Sequence, residues 1–279
     1  MNRLVNLGLV SEGMDGSIRI HQLIASFVQV DEYGRGIQLD VETAVLECVQ
    51  CLKETLNPAP LRVLESHWRH ITSNALSQSS ELAGELGHYL AIYLWLDGLY
   101  DEAQAYCERV LSIRKKRNGI DHLETADSLN LLGLLLKEKG LYEAALPYYE
   151  QALIVREKLL GADHRLTAQS LNNIGSLLLA SKDFEGACAC YERSLAIKEK
   201  VLGPMHQEVA TTLNNLGCLL FEMGDHQNAQ AALERALAID ERVFGPEHPQ
   251  VGMSLSNYGV FLQRCGSHED ACAALERTP

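Results

Sequence analysis

From Ala126 to Thr167 the chain reads ADSLNLLGLLLKEKGLYEAALPYYEQALIVREKLLGADHRLT, and its apolar positions form two runs. Leu129, Leu132 and Leu136, then Ala145, Tyr149 and Ala152, keep the i, i+3, i+4, i+7 spacing of a single helical face. The pattern predicts two amphipathic helices with a turn at Lys139-Gly140-Leu141. It recurs every 42 residues: Gly133, Gly175, Gly217 and Gly259 share one position, and Ala145, Ala187, Ala229 and Ala271 another. Projected backwards, the period lands on Ala91 and Ala103. Gly119, Gly161, Gly203 and Gly245 close the units, each followed three residues on by His122, His164, His206 or His248.

A glycine inside a helix costs about 1 kcal/mol relative to alanine, so its return at one helical position needs compensation. Close packing is the expected reason, with Gly133 on the first helix facing Ala145 on the second. Such helix pairs bury their faces only by stacking on neighbours. The predicted fold is all-α: a right-handed α-solenoid of antiparallel pairs at about 84–125, 126–167, 168–209, 210–251 and a partial 252–279. A period near 42 also suits HEAT and WD40 units. WD40 blades need strand alternation, which is absent, and HEAT units do not call for the small-residue pair.

The chain before the repeats reads differently. Residues 1–30 predict a short helix, a hairpin turning at Asp15-Gly16 and a helix from about His21. Residues 31–80 are expected to hold a polar linker, Asp31 to Asp40, and a helical spacer. Asp40 is placed as the cap of a helix from Val41 to about Leu56, stopped by Asn57-Pro58-Ala59-Pro60. A further helix from Leu61 to about Leu76 carries Trp68. The array, 81–279, stops at Thr278-Pro279 partway through a helix. That is read as an excised fragment, or an apolar end open to self-association.

A formal charge of −13 disfavours nucleic acid and anionic membrane as partners, since both require a clustered basic face. The run Arg114-Lys115-Lys116-Arg117 reads as a solvated helix C-terminus. Eight cysteines without a signal peptide point to a reducing cytoplasmic compartment, and no apolar run is long enough to span a bilayer.

Chemistry is sparse. No glycine precedes a lysine, so no phosphate-cradling loop is present and no cofactor is called for. Cys48, Cys51, His67 and His70 approach a zinc finger's spacing, yet the histidine gap is one residue short and both pairs sit in helical patterns. The four recurrent histidines are read as fixing the loops between repeats. No glycine-flanked nucleophile appears, so the expected function is non-catalytic.

The face opposite the leucine stripe is the better candidate. It comprises Asp127, Asn130, Leu134 and Lys137; then Gln169, Asn172, Asn173, Ser176 and Leu179; then Thr211, Asn214, Asn215, Cys218 and Phe221; then Met253, Ser256, Asn257, Val260 and Arg264. An asparagine amide offers both donor and acceptor and so matches a peptide backbone. The alternative is that these amides bond between adjacent helices.

Leu213 to Gly217 (L-N-N-L-G), Ala187 to Ile197 (A-C-A-C-Y-E-R-S-L-A-I) and Gly245 to Pro249 (G-P-E-H-P) resemble tetratricopeptide repeats of the kinesin-light-chain type. The resemblance covers about residues 84 to 279. It implies eight residues beyond the usual 34, lengthening the second helix by roughly two turns, and a concave groove whose asparagines contact an extended peptide. Leu4, Leu7, Gly8, Leu9, Asp15, Gly16, Arg19, His21 and Leu23 resemble the end of the winged helix in NB-ARC-type STAND nucleotide switches. That implies an ATPase upstream with this array as its sensor or scaffold. A free-standing kinesin-light-chain-like adaptor and a metal- or thiol-dependent enzyme are the other readings.

Overall fold

The computed structural model describes residues 10–12, 18–20, 35–49, 61–62 and 65–276. The chain divides into two compact units, Met1–Lys139 and Gly140–Pro279.

In the first unit, strands β1 (Val10–Glu12) and β2 (Ile18–Ile20) pair antiparallel with Val10 opposite Ile20. Asp15-Gly16 and the helix expected from His21 lie outside the described residues. Two three-residue strands do not by themselves define a winged helix. Helix α1 runs Arg35–Val49, so Asp40 lies inside it and does not cap its start. The helix is continuous there, Thr43 Oγ1 also donates to the Leu39 carbonyl at 2.7 Å, and Gly36 falls in the first turn, where its freedom does least harm.

Helix α2 (Glu65–Gln78) begins later than the expected Leu61. It and α1 pack on α3 (Ala83–Leu96), the first helix of the repeat pattern. Trp68 is fully buried edge-on to Tyr93 at 5.3 Å, and the Tyr93 hydroxyl donates to Glu65 at 2.8 Å. Arg69 bridges Glu65 and Glu102, and Ser80 donates to the buried Glu42 at 2.6 Å. Helices α4 (Tyr100–Asn118) and α5 (Leu123–Glu138) complete the unit.

The second unit holds α6 (Tyr142–Leu160), α7 (Arg165–Ala180), α8 (Phe184–Leu202), α9 (Gln207–Glu222), α10 (His226–Phe244), α11 (Pro249–Arg264) and α12 (His268–Glu276). Among the described residues there are twelve helices. Consecutive helices pack as pairs, α7 on α8, α9 on α10 and α11 on α12, and α7, α9 and α11 also touch in succession. First helices of 16 residues alternate with second helices of 19 in the complete pairs.

At Gly175 and Gly217 the nearest neighbour of the recurrent glycine is a bulky side chain of the second helix. A Cβ on Gly175 would meet the Tyr191 ring at 2.8 Å, and on Gly217 the Leu233 Cγ at 2.7 Å. The absent side chain makes room for the bulky residue sixteen positions ahead, four beyond the expected alanine. The Ala229 carbonyl is the next constraint, at 3.3 Å.

Within each pair the turn residue is left-handed: Gly98, Gly140, Gly224 and Gly266 have φ between 75° and 87°, whereas Lys182 takes φ 65°. Between pairs, Gly119, Gly161, Gly203 and Gly245 take φ 81° to 94°. Each is followed by a histidine that caps the next helix. Nδ1 of His122, His164, His206 and His248 accepts the backbone N–H two residues on, at 3.1 to 3.3 Å. The cap satisfies one of the amides that a helix start leaves unpaired. In a neutral ring this bond leaves the proton on Nε2. Thr125 and Thr167 tie the first two loops down further, donating to the Gly119 and Gly161 carbonyls at 2.9 Å.

Candidate functional site: the first-helix face and the joints beneath it

The face opposite the leucine stripe is distributed over α5 in the first unit and α7, α9 and α11 in the second. On α5, Asp127, Asn130 and Leu134 are half-buried, and Lys137 pairs with Glu138 at 3.6 Å. In the second unit Gln169 and Thr211 are exposed and Met253 is 62% exposed. Asn172, Asn173, Ser176, Asn215, Cys218, Ser256 and Asn257 are half-buried.

Some of these side chains are engaged within the fold. Asn215 donates to Asn172 across adjacent first helices at 3.3 Å, and Ser176 bonds the phenol of the buried Tyr191. Asn214 does not belong to the open face: it is 6% exposed and donates to Ser254 at 2.7 Å. At the far end Arg264 lies 4.3 Å over the Phe221 ring and pairs with Glu222 at 2.6 Å. Burial, and after it the Glu222 charge, raise the Cys218 thiol above its ordinary range, which favours the protonated form.

Beneath the face runs a set of buried ionisable residues that the sequence reading passed over. Arg114, Arg156, Lys198 and Asp240 share one repeat position and all are buried. The three cations make the same pair of contacts. Arg114 donates to the Glu124 carbonyl at 2.9 Å and Ser128 Oγ at 2.8 Å. Arg156 reaches the Leu166 carbonyl at 3.1 Å and Ser170 Oγ at 2.8 Å. Lys198 reaches the Glu208 carbonyl at 3.4 Å and Thr212 Oγ1 at 2.8 Å. Each cation ties the end of a second helix to the start of the following first helix.

Arg114 therefore departs from the solvated reading of its basic run, while Lys115, Lys116 and Arg117 are not buried. Desolvation lowers Arg114, with Glu124 and Asp127 partly restoring it. Burial lowers Lys198 to about 8 against the attraction of Glu208. The signal available in sequence was a charged residue followed fourteen positions later by serine or threonine: Ser128, Ser170, Thr212 and Ser254.

Of the zinc candidates, Cys51 and the Cys48 side chain lie outside the described residues. His67 is half-buried and His70 exposed on α2, with Asn74 Nδ2 3.1 Å from His70 Nε2. Among the described residues no three His, Cys, Asp or Glu side chains converge as a metal site, and no helix is long and apolar enough to cross a membrane.

Stacked helix pairs joined by capped loops and presenting one side-chain face per pair define a helical repeat array. The tetratricopeptide repeat family matches residues 83–158, 133–200, 166–242 and 208–278, and the chain belongs to that family. Its fold is similar to that of a Podosopora anserina putative kinesin light chain with nearly identical TPR-like repeats. That protein is 24% identical with TM-score 0.58, the match covering 69% of this chain and 91% of that one. BtubC (BKLC) from P. vanneervenii is 23% identical with TM-score 0.61, covering 84% and 89%. The apo form of RapI is 14% identical with TM-score 0.61, covering 85% and 96%. No curated protein matches the chain. None of these likenesses bears on the winged-helix and nucleotide-switch resemblance.

Proposed function

We propose that this chain is a non-catalytic scaffold that binds a protein segment or extended peptide along the outward face of α7, α9 and α11. The observation that carries the reading is the recurrence of uncharged, partly exposed hydrogen-bonding side chains at equivalent positions of successive first helices: Gln169, Asn172 and Asn173, then Thr211 and Asn215, then Ser256 and Asn257. An extended backbone presents alternating donors and acceptors, and amides meet both without requiring a particular side-chain sequence. Repeat scaffolds expose such continuous surfaces because each unit contacts only its neighbours. Asn214, turned inward, is left out of the surface.

The likeness in fold to the kinesin-light-chain-type protein and to BtubC favours an adaptor role over an enzymatic one. Placement of the array downstream of a nucleotide switch rests on the Leu4 to Leu23 resemblance alone.

The test is selection of peptides from a random displayed library on the wild-type chain, followed by titration against Asn172→Ala/Asn215→Ala and a Gln230→Ala control on α10. Affinity is expected to fall about tenfold or more in the double variant, equivalent to the loss of one or two good hydrogen bonds, and to hold in the control. Peptides that bind both variants like wild type would place recognition elsewhere.

A further inference from the structure

The joint between the pairs α9–α10 and α11–α12 breaks the pattern of the others. Where they bury an arginine or lysine, it buries Asp240, 0% exposed. The Asp240 Oδ2 accepts the Ser254 hydroxyl at 2.6 Å, and the same hydroxyl accepts Asn214 Nδ2 at 2.7 Å. The single hydroxyl proton is thereby spent. Asp240 Oδ1 and Asn214 Oδ1 are buried with no donor at close hydrogen-bond distance, the Gln250 side chain being the one further donor that bears on the carboxyl. With the carboxylate ionised, the one proton left in the triad is the second Asn214 N–H, which reaches neither acceptor, and the buried charge has no arginine or lysine partner.

We propose that Asp240 takes up a proton when this joint closes, making the joint a proton-operated latch. A proton on Oδ1 removes the buried charge and converts one of the two orphan acceptors into a donor. Asn214 turns inward as part of the same device: its repeat equivalent Asn172 stays at the surface and accepts from Asn215, next to a joint that already holds Lys198.

The surroundings agree. Burial raises the carboxyl, and Ser254, Gln250 and His248 hold it down only in part. Of the groups bearing on it, His248 at the start of α11 is the titratable one, its ring stacked on Phe244 at 4.4 Å. The others, Ser254 and Gln250 of α11 and Asn214 of α9, are neutral. Because the folded carboxyl is raised above its unfolded value, the native joint binds the proton more tightly. Its stability is therefore greatest at low pH and is lost as pH rises through the folded value. The latch governs how firmly α11, with Met253, Ser256 and Asn257, is held on α9. The proposal does not depend on what binds that face.

Native-state hydrogen exchange of the full chain at pH 5 and pH 8, expressed as protection factors, tests it. In the wild type, protection of α11 amides relative to α7 amides is expected to fall about twofold or more on going to pH 8, in the direction that a raised carboxyl dictates. Asp240→Asn carries an amide donor at every pH and should keep α11 protected in both conditions. Asp240→Lys should do the same by restoring the Lys198 arrangement. A flat wild-type ratio, a ratio that rises with pH, or an Asp240→Asn profile that follows the wild type overturns the latch.

Discussion

Arg156 and Asp240 occupy the same place in two copies of one repeat, equally removed from water, and they hold their joints in opposite ways. Arg156 is a long donor whose Nη1 reaches both a backbone carbonyl and a serine hydroxyl, so burial of the charge is answered in part by hydrogen bonds across the joint. Asp240 is short and accepts from the Ser254 hydroxyl, with Gln250 the other donor bearing on the carboxyl and Oδ1 without a close partner. The repeat thus preserves a buried polar slot between helix pairs without preserving its sign. What each slot does depends on whether the occupant brings the protons that its neighbours need.

The largest expected effect comes from emptying the two slots in turn. Arg156→Ala removes both latching bonds and leaves a void beside Ser170, and should cost about 3 kcal/mol. Asp240→Ala also opens a void but discards an uncompensated buried charge, so its cost at pH 7 should stay below about 1 kcal/mol. Urea unfolding of both variants measures the gap, and equal losses would erase the distinction between the joints.

A second pair of substitutions asks whether the difference resides in the slot or in the loop beside it. All four loops carry the same histidine cap, whatever charge lies below. His164→Ala, at a cationic joint, and His248→Ala, at the anionic one, should each cost about 1 kcal/mol, as loss of an N-cap does. A much larger loss at His248, read by thermal unfolding at pH 7, would move the special character of the last joint from Asp240 to its cap.

The period, the helix pairs and their ends were legible in sequence because they rest on local rules: apolar spacing, a glycine where φ is positive, a small residue where helices approach. The joints were not. Arg114 sits in a run that reads as a solvated helix end, and only the packing of the next helix shows that its side chain turns inward, as Arg156 does one repeat on. Histidine is not among the usual capping residues, so its role appeared as a loop signal without a mechanism. Asn214 and Asn215 are adjacent asparagines in one motif. Which of them faces out was decided by Ser254 and Asp240, tens of residues away in sequence. Asp40 was misplaced for a simpler reason: a glycine-containing polar stretch reads as linker, although Gly36 in the first turn leaves α1 intact.

The smallest effect lies inside a helix pair, away from every joint, and serves as the reference for the others. Lys182 holds the turn between α7 and α8 at φ 65°, where the equivalent residue in four other copies is glycine. Its backbone still makes the terminating bonds, with Lys182 N–H to the Leu179 carbonyl at 3.0 Å and Asp183 N–H to the Leu178 carbonyl at 2.8 Å. The turn is therefore already of the glycine type and carries only the steric cost of a Cβ in the left-handed region. Lys182→Gly removes that cost and gives back part of it as unfolded-chain entropy, for a net gain of about 0.5 kcal/mol. The gain should appear unchanged at pH 5 and pH 8, because a steric cost of the backbone involves no proton. A pH-dependent gain would mean that the turn and the Asp240 joint are coupled, and that the joints are not the independent units their separate networks imply.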